Sequence, residues 1–103
     1  MNLKHLSDKM GLDENEYIDL LYLFIDTATA DLVNLKTAVS NEYMNKAAGI
    51  AHSLKGAALN MGLTDFFETA ATIEAEIHRG PRADVGQLIH RLTELLADLT
   101  RMV

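Results

Sequence analysis

Apolar residues recur at helical spacing through nearly the whole chain, and no alternating run long enough for a strand interrupts them. The pattern predicts an all-α fold. A short leader helix runs from about Leu3 to Met10 and stops at Gly11. A long helix begins near Asp13 and carries Tyr17, Leu21, Phe24, Ala28, Leu32, Leu35 and Val39 along one face, in steps of three and four. Ser40 or Asn41 is placed to cap the next helix, whose apolar line is Met44, Ala47, Ala51, Leu54, Ala58 and Met61, and Gly62 ends it. Thr64 is the expected cap of a third long helix with Phe66, Ala70, Ile73 and Ile77 inward, closed by Gly80-Pro81. Asp84, with Gln87 three residues on, fits a capping box that opens the last helix, where Val85, Leu88, Leu92, Leu95, Leu99 and Met102 form the core line. Short connections force consecutive helices to run antiparallel. The expected architecture is therefore an antiparallel up-down four-helix bundle with a short N-terminal leader helix, a single domain over residues 1–103.

Composition narrows the function classes. A chain of 103 residues has room for one small core and none for a nucleotide-binding fold beside a second catalytic domain. No stretch approaches the ~18 unbroken apolar residues of a membrane span, and the start Met1-Asn2-Leu3-Lys4-His5 has no long apolar run of the export type, so a cytoplasmic protein is expected. The absence of Cys excludes disulfides, thiolate zinc sites and cysteine nucleophiles. Fifteen acidic against nine basic residues give a net charge of −6 with the basic residues scattered, which argues against nucleic acid as a partner. Early acids such as Asp13, Glu14, Glu16, Asp19, Asp26 and Asp31 read as a solvated helix face.

The second long helix breaks the helical rules. Gly49 and Gly56 lie inside it, each costing about 1 kcal/mol relative to Ala in a helix interior. At roughly 100° per residue, His52 points about 140° away from the centre of the core line, toward solvent. The two glycines stand three before and four after it, the positions that neighbour it on the helix surface. The imidazole thus projects from a cleared patch that another protein could approach closely, with Lys55 beside it. Helix packing does not account for glycines on the side away from the core.

These residues carry a resemblance. His52-Ser53-Leu54-Lys55-Gly56-Ala57-Ala58, with Gly62 ten residues after the histidine, resembles the signature of histidine-containing phosphotransfer domains, the relay modules of two-component signalling. It covers most of the chain. The resemblance implies that His52 accepts and donates the phosphoryl group, that Lys55 helps neutralise the phosphoryl oxygens, and that Gly56 leaves space for the docking partner. It also implies a companion to the imidazole on the following helix, and the matching position is Glu74. A carboxylate at the seam between two antiparallel helices is placed to accept from Nδ1–H and leave Nε2 free as nucleophile. An exposed Glu74 pairing with His78, four residues on, is the competing arrangement.

On this reading the domain is a carrier and not an enzyme. The chain holds no glycine-rich phosphate loop, so it is not expected to phosphorylate itself from ATP. It needs no cofactor: Mg²⁺ and the aspartyl acceptor are expected on a partner receiver domain, the other partner being a sensor or hybrid histidine kinase. The expected footprint is a small-residue strip of Ala48, Gly49, His52, Gly56 and Leu59, on a protein that works as a monomer. Three other readings compete. A histidine-kinase dimerisation helix usually has an acid directly after its histidine, where this chain has Ser53. A metal-binding bundle has His5, His52, His78 and His90 to draw on, but no Glu-x-x-His pair, and no metal site is expected. A plain helical adaptor would use the methionines with Phe66 and Phe67 as a groove, a stripe better explained by core packing.

Overall fold

The computed structural model describes residues 2–80 and 85–103 of the chain. Among them are five helices and no strand: α1 (Leu3–Lys9), α2 (Glu14–Ser40), α3 (Met44–Asn60), α4 (Thr64–Arg79) and α5 (Gly86–Met102). The last four pack in a ring, each on the next and α5 back on α2, with the α3–α4 interface the most extensive. The helix directions in the ring follow from two observations. Tyr17, at the start of α2, donates its hydroxyl to the carbonyl of Met61 just past the end of α3 (2.8 Å), and Lys36, Val39 and Ser40 at the end of α2 share a cleft with Gly86, Ile89 and His90 at the start of α5. Both α3 and α5 thus run opposite to α2. At about 1.5 Å per residue, the 27-residue α2 accounts for the 43 Å long axis, and the other three helices are shorter by ten residues or more. Helix α1 packs on α2 at the end of the bundle where α2 starts, burying Leu6.

Three helices end alike. In α1, α2 and α3 the chain turns left-handed one residue past the C-cap and returns two hydrogen bonds to the last turn, the Schellman arrangement. After α3, Gly62 has φ +71°, its N–H donates to the Leu59 carbonyl and the N–H of Leu63 to that of Ala58. After α2 the left-handed residue is Glu42, at φ 61°. This corrects the expected cap of α3: Ser40 is the last residue of α2, Asn41 its C-cap, and Tyr43 leads directly into α3 without a side-chain cap. Likewise Thr64 is the first residue of α4 and Leu63 its N-cap. The expected pair of Asp84 with Gln87 rests on a position outside the described residues, as does Pro81; the N-cap of α5 is Val85. At the start of α2, Asp13 accepts from the N–H of Glu16 (2.8 Å) and Glu16 accepts from that of Asp13 (3.2 Å), a reciprocal capping box.

The core lines hold along most of their length and shift at the edges. Ala38 is buried where Val39 was expected, Ile89 and Leu96 join α5, and Leu88, Met44 and Met102 are only half-buried. The cause is the ring: α5 faces both α4 and α2, so it buries a stripe wider than one line of three-and-four steps. Inside the ring Phe24 and Phe66 meet edge to face across the bundle, centroids 5.1 Å apart.

Candidate functional site

Helix α3 carries His52 on its outer surface, where 67% of the side chain is exposed. The seam with α4 brings Glu74 to it: Oε2 lies 3.0 Å from His52 Nδ1, and Oε1 accepts from Lys55 Nζ at 2.7 Å. One carboxylate therefore bridges the histidine and the lysine three residues on. Glu74 is 18% exposed and Lys55 28%, so this pair lies mostly beneath the ring it supports. The ammonium of Lys55, with a smaller contribution from His52, holds the Glu74 carboxyl below its ordinary value against the opposing effect of desolvation. An ionised carboxylate has no proton to give, so Nδ1–H is the donor and the lone pair of Nε2 is left available. Among the described residues Nε2 has no hydrogen-bond partner. The competing pair of Glu74 with His78 does not form, because both carboxylate oxygens are taken from α3.

Gly49 and Gly56 flank the ring as the helical wheel predicts. Both are exposed, and a Cβ built on either meets no other atom within 4 Å. Their lack of a side chain is therefore no packing requirement of this fold. Leu59, two turns along the same face from His52, is 60% exposed. Ala48 departs from the expectation: it is 7% exposed and belongs to the core. It stands seven residues, two turns, before Lys55 and so on the line that reaches toward α4, which turns it inward. The outward strip consists of Gly49, His52, Gly56 and Leu59.

Two exposed apolar residues of α2, outside the periodic core line, lie on the flank of α3 that faces α2. Leu20 and Leu23 of α2 are 43% and 65% exposed, and with Phe24, Leu54, Ala57 and Met61 they line an apolar groove of about 240 Å³ between α2 and α3. Their signal in the sequence is an apolar band on α2 wider than its core line, with Leu20 and Leu23 on the flank that faces α3. At the other end of the strip, Leu59 joins Met10, Leu63 and Phe67 around a second hollow of about 350 Å³.

Among the described residues no three His, Asp or Glu side chains converge in a way that could hold a metal ion. His5 and His90 are exposed, and His90 lies 3.8 Å from Glu94 on its own helix. No described helix is long and apolar enough to cross a membrane.

A family model, the Hpt domain, matches residues 19–101, which span α2 from its second turn to the last turn of α5. No curated protein and no solved structure matches the chain.

Proposed function

The chain belongs to the Hpt-domain family, and from that premise we propose that His52 is the residue on which it carries the phosphoryl group. As a member it is a histidine phosphotransfer intermediate of a phosphorelay, a carrier and not a kinase, with two-component partners such as receiver domains and kinases. The observation that carries the assignment is the exposed His52 ring whose Nδ1 is held by Glu74 at 3.0 Å between two positions without side chains.

The chemistry follows from that arrangement. Neutral Nε2 attacks the phosphorus of a receiver's aspartyl phosphate, the N–P bond forms, and the electron pair of the breaking O–P bond returns to the aspartate. Glu74 fixes the tautomer that makes Nε2 the nucleophile and offsets the positive charge that develops on the ring. Lys55, which shares the Glu74 carboxylate with the ring, is the cation available to offset phosphoryl charge as it arrives. Mg²⁺ and the remaining electrostatics of the transferring group belong to the receiver, since phosphoryl transfer is mainly positioning and charge stabilisation. Gly49 and Gly56 let the receiver's surface close on the ring, with Leu59 beyond them and the Leu20–Leu23 groove taking an apolar contact on the flank. One exposed histidine serves donor and acceptor in turn, so a monomer suffices, and the relay is placed in the cytoplasm, where its partners work.

The test is to incubate the pure protein with a phosphorylated receiver domain or a small phosphoramidate, measure the intact mass and map the added group, with His52→Gln as control. One phosphoryl group, labile in acid, stable in base and absent from the variant, is expected. An unmodified His52 under conditions that charge another phosphotransfer domain would overturn the assignment.

A further inference from the structure

Resting on His52 as the phosphoacceptor, we propose that the hollow between α1, α3 and α4 selects the receiver, by taking an apolar side chain that the receiver projects against Met10. Helix α1 then does more than bury Leu6 at the end of the bundle: it builds one wall of the docking surface.

The wall from α1 is fixed in place. Lys9 Nζ donates across the α3–α4 turn, to the carbonyl of Gly62 (3.1 Å) and to the hydroxyl of Thr64 (3.3 Å). Gly62 leaves the space that Met10 fills, since a Cβ built there meets Met10 Sδ at 3.0 Å. Met10 is the C-cap of α1 and stays half-buried, with one side against the turn and the other facing the hollow. Helix α1 lies ahead of residues 19–101, so this wall is a feature of the chain outside the segment that matches the family model.

Position and chemistry identify the occupant. Leu59 belongs both to the outward strip of His52 and to the hollow, and it stands seven residues from His52, about 10 Å along the helix. A standard interface covers about 800 Å² of each partner, a disc about 16 Å in radius. A receiver that closes on His52 with a contact of that size therefore extends past Leu59 and over the hollow. Met10, Leu59, Leu63 and Phe67 give it an apolar lining. Its charged members, Lys9 and Glu68, bring no net charge, and Lys9 already donates to the turn, so an apolar side chain suits the space better than an ionic one. The volume of about 350 Å³ has room for on the order of ten waters, enough for a Leu, Met or Phe side chain.

The experiment charges wild type and Met10→Gln from two donors: a small phosphoramidate, which needs only the ring, and a phosphorylated receiver domain, which must dock. Glutamine keeps the length of methionine and removes the apolar wall. The receiver concentration for half-maximal single-turnover transfer is expected to rise about fivefold or more in the variant, with the maximal rate and the phosphoramidate reaction unchanged. An unchanged dependence on receiver concentration overturns the proposal, and so does equal slowing with both donors, which would give Met10 a part in the fold alone. A second readout needs no variant: with methionine methyl groups labelled for NMR, adding the receiver should shift Met10 and leave Met102, at the end of α5, in place. A Met10 methyl that does not move overturns the role of the hollow even if the variant fails to fold. One that shifts on concentrating the protein alone assigns the hollow to a second copy of the chain, and overturns it likewise. An unmodified His52 with both donors overturns the assignment of the site itself, whereas charging by the phosphoramidate but by no receiver overturns the docking surface and this proposal with it.

Discussion

Gly56 lies in the middle of α3, four residues after His52, and a Cβ built on it finds open space out to 4 Å. Nothing in the isolated domain therefore opposes a side chain there, and intrinsic helix preference favours one: Gly56→Ala should stabilise the protein by about 0.8–1 kcal/mol. For a domain of this size that corresponds to a rise in Tm of about 4–8 °C. Gly56→Gln should gain slightly less, since Gln ranks below Ala as a helix former. Transfer should move the other way. If His52 carries the phosphoryl group as proposed, a side chain at this position stands one turn from the reacting nitrogen, on the surface over which a receiver would close. Displacing the reacting atoms by about 1 Å costs about 10²-fold in rate, so Gly56→Gln is expected to approach that loss and Gly56→Ala to show a smaller one. The assays are thermal unfolding by circular dichroism and single-turnover transfer from a phosphorylated receiver. A stabilised variant that transfers slowly supports close approach. Gly56→Gln transferring at the wild-type rate refutes it, and a destabilised Gly56→Ala refutes the open helical environment from which the stability gain was worked.

Other expectations follow from the turns and from Glu74. Glu42 holds a left-handed conformation at φ 61°, which costs a residue with a Cβ about 1 kcal/mol, so Glu42→Gly should stabilise the protein by up to that amount in urea unfolding; a loss of stability would contradict the end assigned to α2. Gly62→Ala should do the reverse, losing about 1–2 kcal/mol, because its φ of +71° is left-handed and the new Cβ meets Met10 Sδ at 3.0 Å; unchanged stability would mean that the turn relaxes freely. Glu74 titrates below its ordinary value of 4.5, so the stability from its pairs is complete above that pH and is lost as pH falls through the lower folded value. Urea unfolding followed into acid should show a smaller loss for Glu74→Gln than for wild type, and equal losses would deny the pairing any part in stability.

How far the chain could be read beforehand depended on how local each signal was. The helices and most of the core lines are periodic, and periodicity survives into the structure because each helix buries one face against the same ring. The arrangement of the candidate site was legible for a similar reason: His52, Gly49 and Gly56 lie within two turns of one helix, so a wheel relates them without knowledge of packing. Errors gathered where two elements decide together. Ser40 and Asn41 look like caps of a coming helix, yet the turn they enter is set by α2, with Glu42 taking the left-handed position usually given to Gly or Asn. Ala48 lies near His52 on the wheel but is covered by neighbouring helices, which no single-helix projection contains. Leu20 and Leu23 needed the opposite knowledge: that the α2–α3 seam leaves part of the apolar band of α2 uncovered.

The same packing explains how a weak helix holds a demanding geometry. With two interior glycines, α3 gives up about 2 kcal/mol of intrinsic helix preference, and no side chain caps its start. Its stability must come from neighbours. The face it turns inward is built largely from alanine: Ala47, Ala48, Ala51 and Ala58 are all buried, and Ala70 is buried on α4. Small side chains allow helix axes to approach toward the near end of the usual 8–10 Å range, and α3 meets α4 over the most extensive interface in the bundle. Close approach is also what lets Glu74 reach across the seam to both His52 and Lys55. Larger residues along this face would add apolar area while pushing α4 outward, separating the carboxylate from Nδ1. The alanine face and the glycine face are thus two parts of one arrangement: the first brings Glu74 under the ring from within, and the second leaves the ring open from outside.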